Sequence, residues 1–274
     1  MLTLAAIRTE LVKSLRRPRT YVAYGILALI PIIMAVAIDL NPPSATGDGR
    51  LLYLASQTGL LLPGFALRVT SAFLLVIVVA LFGGDAIAGE AQTGTLRYLL
   101  VRPVGRTHLL LAKLVTVVAF VIMAVLIVAV VSYVEGRLLL GKSTTTGGTV
   151  SLSGSTLTPH QLAGRTALAL AYVIVCMLGV AAIALFFSTL TSSSVGAALG
   201  TVGVLIASTV LLGLDAAQSL QPFLPTRYWL SFVDLFRDPI LWDGVVRGLL
   251  VQLAYLLVFS LAAWANFTSK DIAD

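Results

Sequence analysis

The chain has 274 residues, 58% hydrophobic and only 11% charged, with a net charge of +6 and a mean hydropathy of +1.01. A soluble globular chain carries roughly a quarter charged residues, so this composition excludes an ordinary soluble protein and calls for lipid as solvent. The length fits one transmembrane domain over residues 1–274, without a separate soluble domain of ordinary size.

In residues 1–19, Leu4, Ile7, Leu11 and Leu15 share a helical face, with Thr9, Lys13, Arg16 and Arg17 opposite. The pattern predicts a helix lying in the membrane interface, cations toward anionic headgroups, ended by Pro18. Residues 21–38 form the first apolar run, about one bilayer long and kinked at Pro31. The basic start and Ala35-Val36-Ala37 imitate a cleavable signal, but the run exceeds the roughly 7–15 residues of a signal core.

Residues 39–63 are turn-rich. Their apolar part, 51–62, reads equally as an interfacial helix or as an extension of the second span, residues 65–88. A polar stretch follows, residues 83–113. It holds Asp85 and Glu90, then Arg97, Arg102, Arg106 and Lys113, with His108. Within it Leu96, Leu99 and Leu100 mark one face of a short amphipathic helix, and Pro103 and Gly105 turn the chain back. Such a folded, charged, reversing element presents itself to a partner, or is a solvated basic loop that only fixes topology.

The third span is residues 109–134. Residues 135–164 are rich in Ser, Thr and Gly, have no apolar period, and are predicted to be a mobile external loop without a core. The fourth and fifth spans, 167–187 and 195–214, are joined by a polar turn. The fifth carries Gly196, Gly200 and Gly203, small residues that let helices approach closely. They read as a permease dimer seam or as packing within the chain. Residues 215–244 mix Trp229, Phe232, Phe236 and Trp242 with Arg227, Asp234 and Arg237, which predicts short helices dipping into the outer leaflet. The sixth span is 245–267. Cations crowd the N-terminal segment and residues 97–113, so the positive-inside rule places both termini in the cytoplasm.

Several features carry no chemistry. Residues 136–143 spell the phosphate-loop pattern G-x-x-x-x-G-K-S, but follow a span instead of a strand and precede a Ser/Thr/Gly tract, so nucleotide binding is not expected. Asn266-Phe267-Thr268 matches a glycosylation sequon on the inner face. His108 and His160 fall on opposite sides of the membrane, Cys176 stands alone in an apolar run, and the cations beside spans point to lipid, not nucleic acid. No catalytic or metal site is predicted. At mid-membrane the spans carry essentially no ionisable groups, and Gln252 is the most polar residue well inside a span, which argues against ion-coupled transport.

Asp85-x-x-x-Gly89-Glu90, Gly94-Thr95-Leu96-Arg97-x-Leu99-Leu100, Arg102-Pro103-x-x-Arg106 and Lys113 resemble the segment after the second span in permease subunits of bacterial type-2 ABC exporters. Phe187-Ser188-x-Leu190-Thr191 resembles that family's turn between spans four and five, and Phe267-x-x-Lys270-Asp271-Ile272 its C-terminal ending. The resemblance implies an all-α integral membrane protein with six transmembrane helices. It adds an elbow helix (1–19), a cytoplasmic coupling segment between spans two and three (89–106) and external re-entrant helices before span six (215–244). It further implies two ABC ATPase subunits, which hold ATP and Mg, and a second permease, identical or paralogous, in the plasma membrane. This chain would hold no cofactor. The ATPase interface would comprise Glu90, Leu96, Arg97, Leu99, Leu100, Arg102 and Arg106, with Glu90 either touching the ATPase or bracing the helix start. The expected substrate is hydrophobic or amphipathic: a drug-like molecule, lipid or peptide. An ion channel or secondary carrier without an ATPase is the alternative.

Overall fold

The computed structural model describes residues 2–43, 50–94, 105–140 and 149–269. Its helices are α1 (Leu2–Arg16), α2 (Pro18–Leu40), α3 (Arg50–Thr58), α4 (Leu62–Ala72), α5 (Leu74–Gln92), α6 (Arg106–Glu135), α7 (Pro159–Leu190), α8 (Ser194–Leu212) and α9 (Trp242–Ser269). Among the described residues six helices, α2 and α5 to α9, are long and apolar enough to cross a membrane. The chain is an all-α, multi-pass membrane protein, as its hydropathy requires.

Local chemistry sets the helix starts. Pro18 opens α2 where its missing N–H has no partner to lose. Thr158 and Gln161 form a reciprocal capping box at the start of α7, and the Ser193 hydroxyl accepts from the Gly196 amide at 3.1 Å to cap α8. Helix α7 is the hub and packs on α5, α6, α8 and α9. Its apolar window is 67% buried, against 28% for α8, 22% for α2 and 17% for α9. Those three therefore leave most of their apolar surface for lipid or another chain.

Three regions depart from the linear reading. First, the second apolar run is divided. Its backbone breaks at Phe73 between α4 and α5, where the Thr70 hydroxyl bonds back to the Ala66 carbonyl at 2.7 Å and competes with the helical ladder. Residues 50–58 form a helix of their own, ended by Gly59 at φ +66°. Gly59 lies so close to the Gly136 backbone that neither position has room for a side chain.

Second, the stretch expected to be a coreless loop is partly built. Thr149–Val150 (β1) and Thr156–Leu157 (β2) pair as an antiparallel hairpin turned at Gly154 (φ +97°). Leu157 reaches the main core, and the Ser151 and Ser155 hydroxyls bond to one another at 2.8 Å beside it in the hairpin. The phosphate-loop look-alike begins as a wide helical turn, Gly136–Leu140, that continues α6.

Third, α5 runs on through residues 83–92, past the expected span end at residue 88. Gly83 and Gly84 let α7 and α8 approach there. A methyl group at Gly84 would stand 3.0 Å from the Ala198 amide nitrogen, and one at Gly83 would press on Ala184. Opposite, after α8, short 3-10 turns (Asp215–Ala217, Gln221–Phe223 and Ser231–Phe236) form a cap whose Phe232, Leu235 and Phe236 are fully buried.

Candidate functional site

The α1 end of the bundle holds both charges buried among the described residues, Glu90 and Lys113, and several side-chain hydrogen bonds between helices. Ser188, at the end of α7, inserts its hydroxyl into the α5 ladder. It accepts from the Ile87 and Ala88 amides at 3.0 and 2.8 Å and donates to the Gly84 carbonyl at 2.7 Å. Asn266 of α9 donates to the carbonyl and hydroxyl of Thr189 at 3.1 and 2.9 Å, which gives the sequon asparagine a packing role. Arg106, at the start of α6, donates to the Thr268 carbonyl at 3.1 Å, and the Trp264 indole to the Thr107 hydroxyl at 3.2 Å. The ends of α5, α6, α7 and α9 are thus cross-linked into one platform.

Helix α1 is clamped to that platform by ion pairs. Glu90 is 3% and Lys113 2% exposed, and they meet at 2.6 Å. Lys13 of α1 pairs with the other Glu90 oxygen. Glu10 of α1 lies 3.6 Å from Lys113 and 3.9 Å from Lys13. Five residues earlier in α5, Asp85 takes the Arg17 guanidinium at 2.7 Å, with Arg19 at 3.9 Å. A polar cavity of about 40 Å³ lies among Glu10, Lys13, Asp85, Glu90 and Lys113. Two buried charges of opposite sign in direct contact are mutually compensated, whereas either alone would be costly.

This geometry revises the reading of α1. Arg8 and Arg16 point outward, but Lys13 and Arg17 turn inward, Lys13 to the buried Glu90 and Arg17 to the partly exposed Asp85, instead of toward headgroups. Composition did signal Lys113, a cation one turn inside an apolar run. Its partner Glu10 had no such signal, since the contact spans over a hundred residues of sequence.

Of the residues predicted to meet an ATPase, Leu96, Arg97, Leu99, Leu100 and Arg102 lie outside the described residues. Glu90 and Arg106 are described, and each is engaged within the chain, Glu90 as a buried brace and Arg106 against α9. The described helices end at both sides of that segment, α5 with Gly94 beyond its cap and α6 with Gly105 before its first turn. The three glycines of α8 divide. Gly200 packs on Phe187 of the same chain, Gly196 lies over its own capping Ser193, and Gly203 faces open space. Val195, Leu199, Ile206 and Val210 flank Gly203 on an exposed stripe. Among the described residues no cluster of His, Cys, Asp or Glu is suited to a metal ion.

Comparison with known proteins gives the following. A family model described as a protein of unknown function, DUF2705, matches residues 32–273. The uncharacterized protein YhcI of Bacillus subtilis is 26% identical over 245 residues, covering 86% of this chain and 74% of its own length. The probable ABC transporter permease protein NosY of Pseudomonas aeruginosa is 39% identical over 85 residues, which is 28% of this chain and 31% of NosY. Together with the six apolar helices, this marks a membrane chain of transporter type.

Proposed function

We propose that this chain, which belongs to the DUF2705 family, is the permease subunit of an ATP-driven exporter that moves a hydrophobic or amphipathic substrate with a separate ATPase subunit. The observation that carries the reading is the buried clamp of Glu90 and Lys113 with Glu10 and Lys13. It fastens α1 to the two helices that flank residues 95–104. A partner pushing on that segment would move α1, α5 and α6 together, as near-rigid bodies. The local similarity to an ABC permease supports an ATPase as that partner.

In this reading α1 is the interfacial elbow helix, residues 89–106 are the coupling segment and residues 215–244 are the external re-entrant element. Leu96, Leu99 and Leu100 supply the buried contact, and Arg97 and Arg102 offer charge-assisted bonds to acidic groups of the ATPase. Glu90 acts from within, as the brace. Two such permeases and two ATPases form the working unit in the plasma membrane, termini in the cytoplasm. Leu199, Ile206 and Val210, exposed around Gly203 on α8, are available to the second permease. An ion-coupled carrier or channel needs ionisable groups deep in its bundle. Glu90 and Lys113, the two charged residues buried among those described, sit at one end instead, which favours the ATPase reading.

The test is co-purification of the detergent-solubilised chain with its candidate ATPase, comparing wild type with Arg97→Glu/Arg102→Glu and following ATP hydrolysis. Capture lost in the variant is the expected result. Capture and hydrolysis that survive the charge reversal would refute the docking segment and bring the channel or carrier reading forward.

A further inference from the structure

Beside the ion clamp, an open groove of about 570 Å³ runs between α2 and the α5–α8 pair. That volume lies within the range of about 300–1,000 Å³ usual for small-molecule sites. Its walls are apolar, with Val22, Ile26, Val78, Leu81 and Val195 among them. Four of these remain half-exposed, Val22 at 62%, Ile26 at 45%, Leu81 at 49% and Val195 at 59%, so the chain itself does not fill the groove. Its rim is cationic. Asp85 serves two guanidinium groups there. Arg17 holds it at 2.7 Å, whereas Arg19 stands at 3.9 Å with an 84% exposed side chain. The rim therefore keeps one uncompensated positive charge, and it sits in the first turn of α2, where the helix dipole adds to it.

We propose that this groove binds an anionic phospholipid of the leaflet in which α1 lies, with its phosphate on Arg19 and one acyl chain along α2. The dimensions agree. From Arg19 to Ile26, and from Asp85 back to Val78, is about 10 Å of helix, roughly two thirds of one leaflet's hydrocarbon depth. The planar guanidinium fits phosphate oxygens two at a time. A zwitterionic headgroup brings its own cation to a rim that is already positive, and so gains less. The apolar wall demands a chain, which free phosphate lacks. This site does not depend on an ATPase partner, so it and the exporter reading stand or fall separately.

The experiment is native mass spectrometry of the full chain released from nanodiscs of equal phosphatidylglycerol and phosphatidylethanolamine, for wild type, Arg19→Glu and Ile26→Trp. Both substitutions fall on exposed side chains, and unchanged melting in detergent verifies the fold. Wild type retains phosphatidylglycerol in preference, and excess inorganic phosphate does not displace it. Arg19→Glu lowers that retention at least about fivefold, from the attraction of a single surface cation for anionic lipid. Ile26→Trp lowers retention of both lipids. Equal retention of the two lipids, or retention indifferent to Arg19→Glu, overturns the proposal. So does efficient disulfide cross-linking between Ile26→Cys and Val195→Cys chains in the membrane, which would place a second copy in the groove.

Discussion

The two ends of the bundle are closed by different physics. At the α1 end, the buried Glu90 and Lys113 of α5 and α6 interlock with the partly exposed Lys13 and Glu10 of α1. At the other end, Phe232, Leu235 and Phe236 fill the space, and neutral side chains reach backbone carbonyls. Tyr172 donates to Tyr228 at 2.6 Å and Gln252 to Pro225 at 2.6 Å. The hairpin joins this cap through the Leu152 amide on the Phe236 carbonyl, 3.1 Å, and one ion pair is added at its edge, where Arg165 meets the Arg237 carbonyl at 2.7 Å and the half-exposed Asp238 at 3.1 Å. An apolar cap tolerates loss piecemeal, since each neutral bond contributes about 1 kcal/mol. A buried ion cluster does not, because removing one member strands its partner's charge. The first is suited to holding a shape, the second to making separate elements move as one.

The largest effect should therefore come from the charged end. Lys113→Met keeps the side-chain volume but leaves Glu90 and Glu10 undercompensated, and should cost about 3–5 kcal/mol, toward the lower figure because Lys13 remains. Glu90→Gln added to it should restore most of the loss, read as thermal melting in mild detergent. A double variant no better than the single would break the comparison. At the opposite end Tyr172→Phe leaves the Tyr228 carbonyl without its donor and should cost about 1–2 kcal/mol, with no dependence on salt. The smallest effect belongs to Arg247→Ala. Its pair with Asp243 spans 3.1 Å, but the two side chains are 64% and 79% exposed, so the melting change should stay below about 0.5 kcal/mol. A larger loss would show that exposure to water is not what separates strong pairs from weak ones here.

Some of the departures have a local signal in the chain. Thr158 and Gln161 spell a capping box ahead of the fourth span, and Thr70 and Ser71 carry hydroxyls beside the break in the second. Glu90 was legible as either a contact or a brace, and only its burial between two lysines favours the brace. Ser188 was visible as part of a turn, yet nothing in the string shows that it enters the ladder of a helix a hundred residues earlier.

By itself, the sequence determined that the chain is a multi-pass helical membrane protein and which apolar runs are long enough to cross. Hydropathy acts residue by residue, and a buried backbone in lipid must satisfy its hydrogen bonds within each helix. Tertiary structure alone decided which charges meet, which glycines pack inside the chain and which groove stays open. Those outcomes depend on the relative placement of helices distant in sequence, and pairing energies between them leave no periodic trace along the chain.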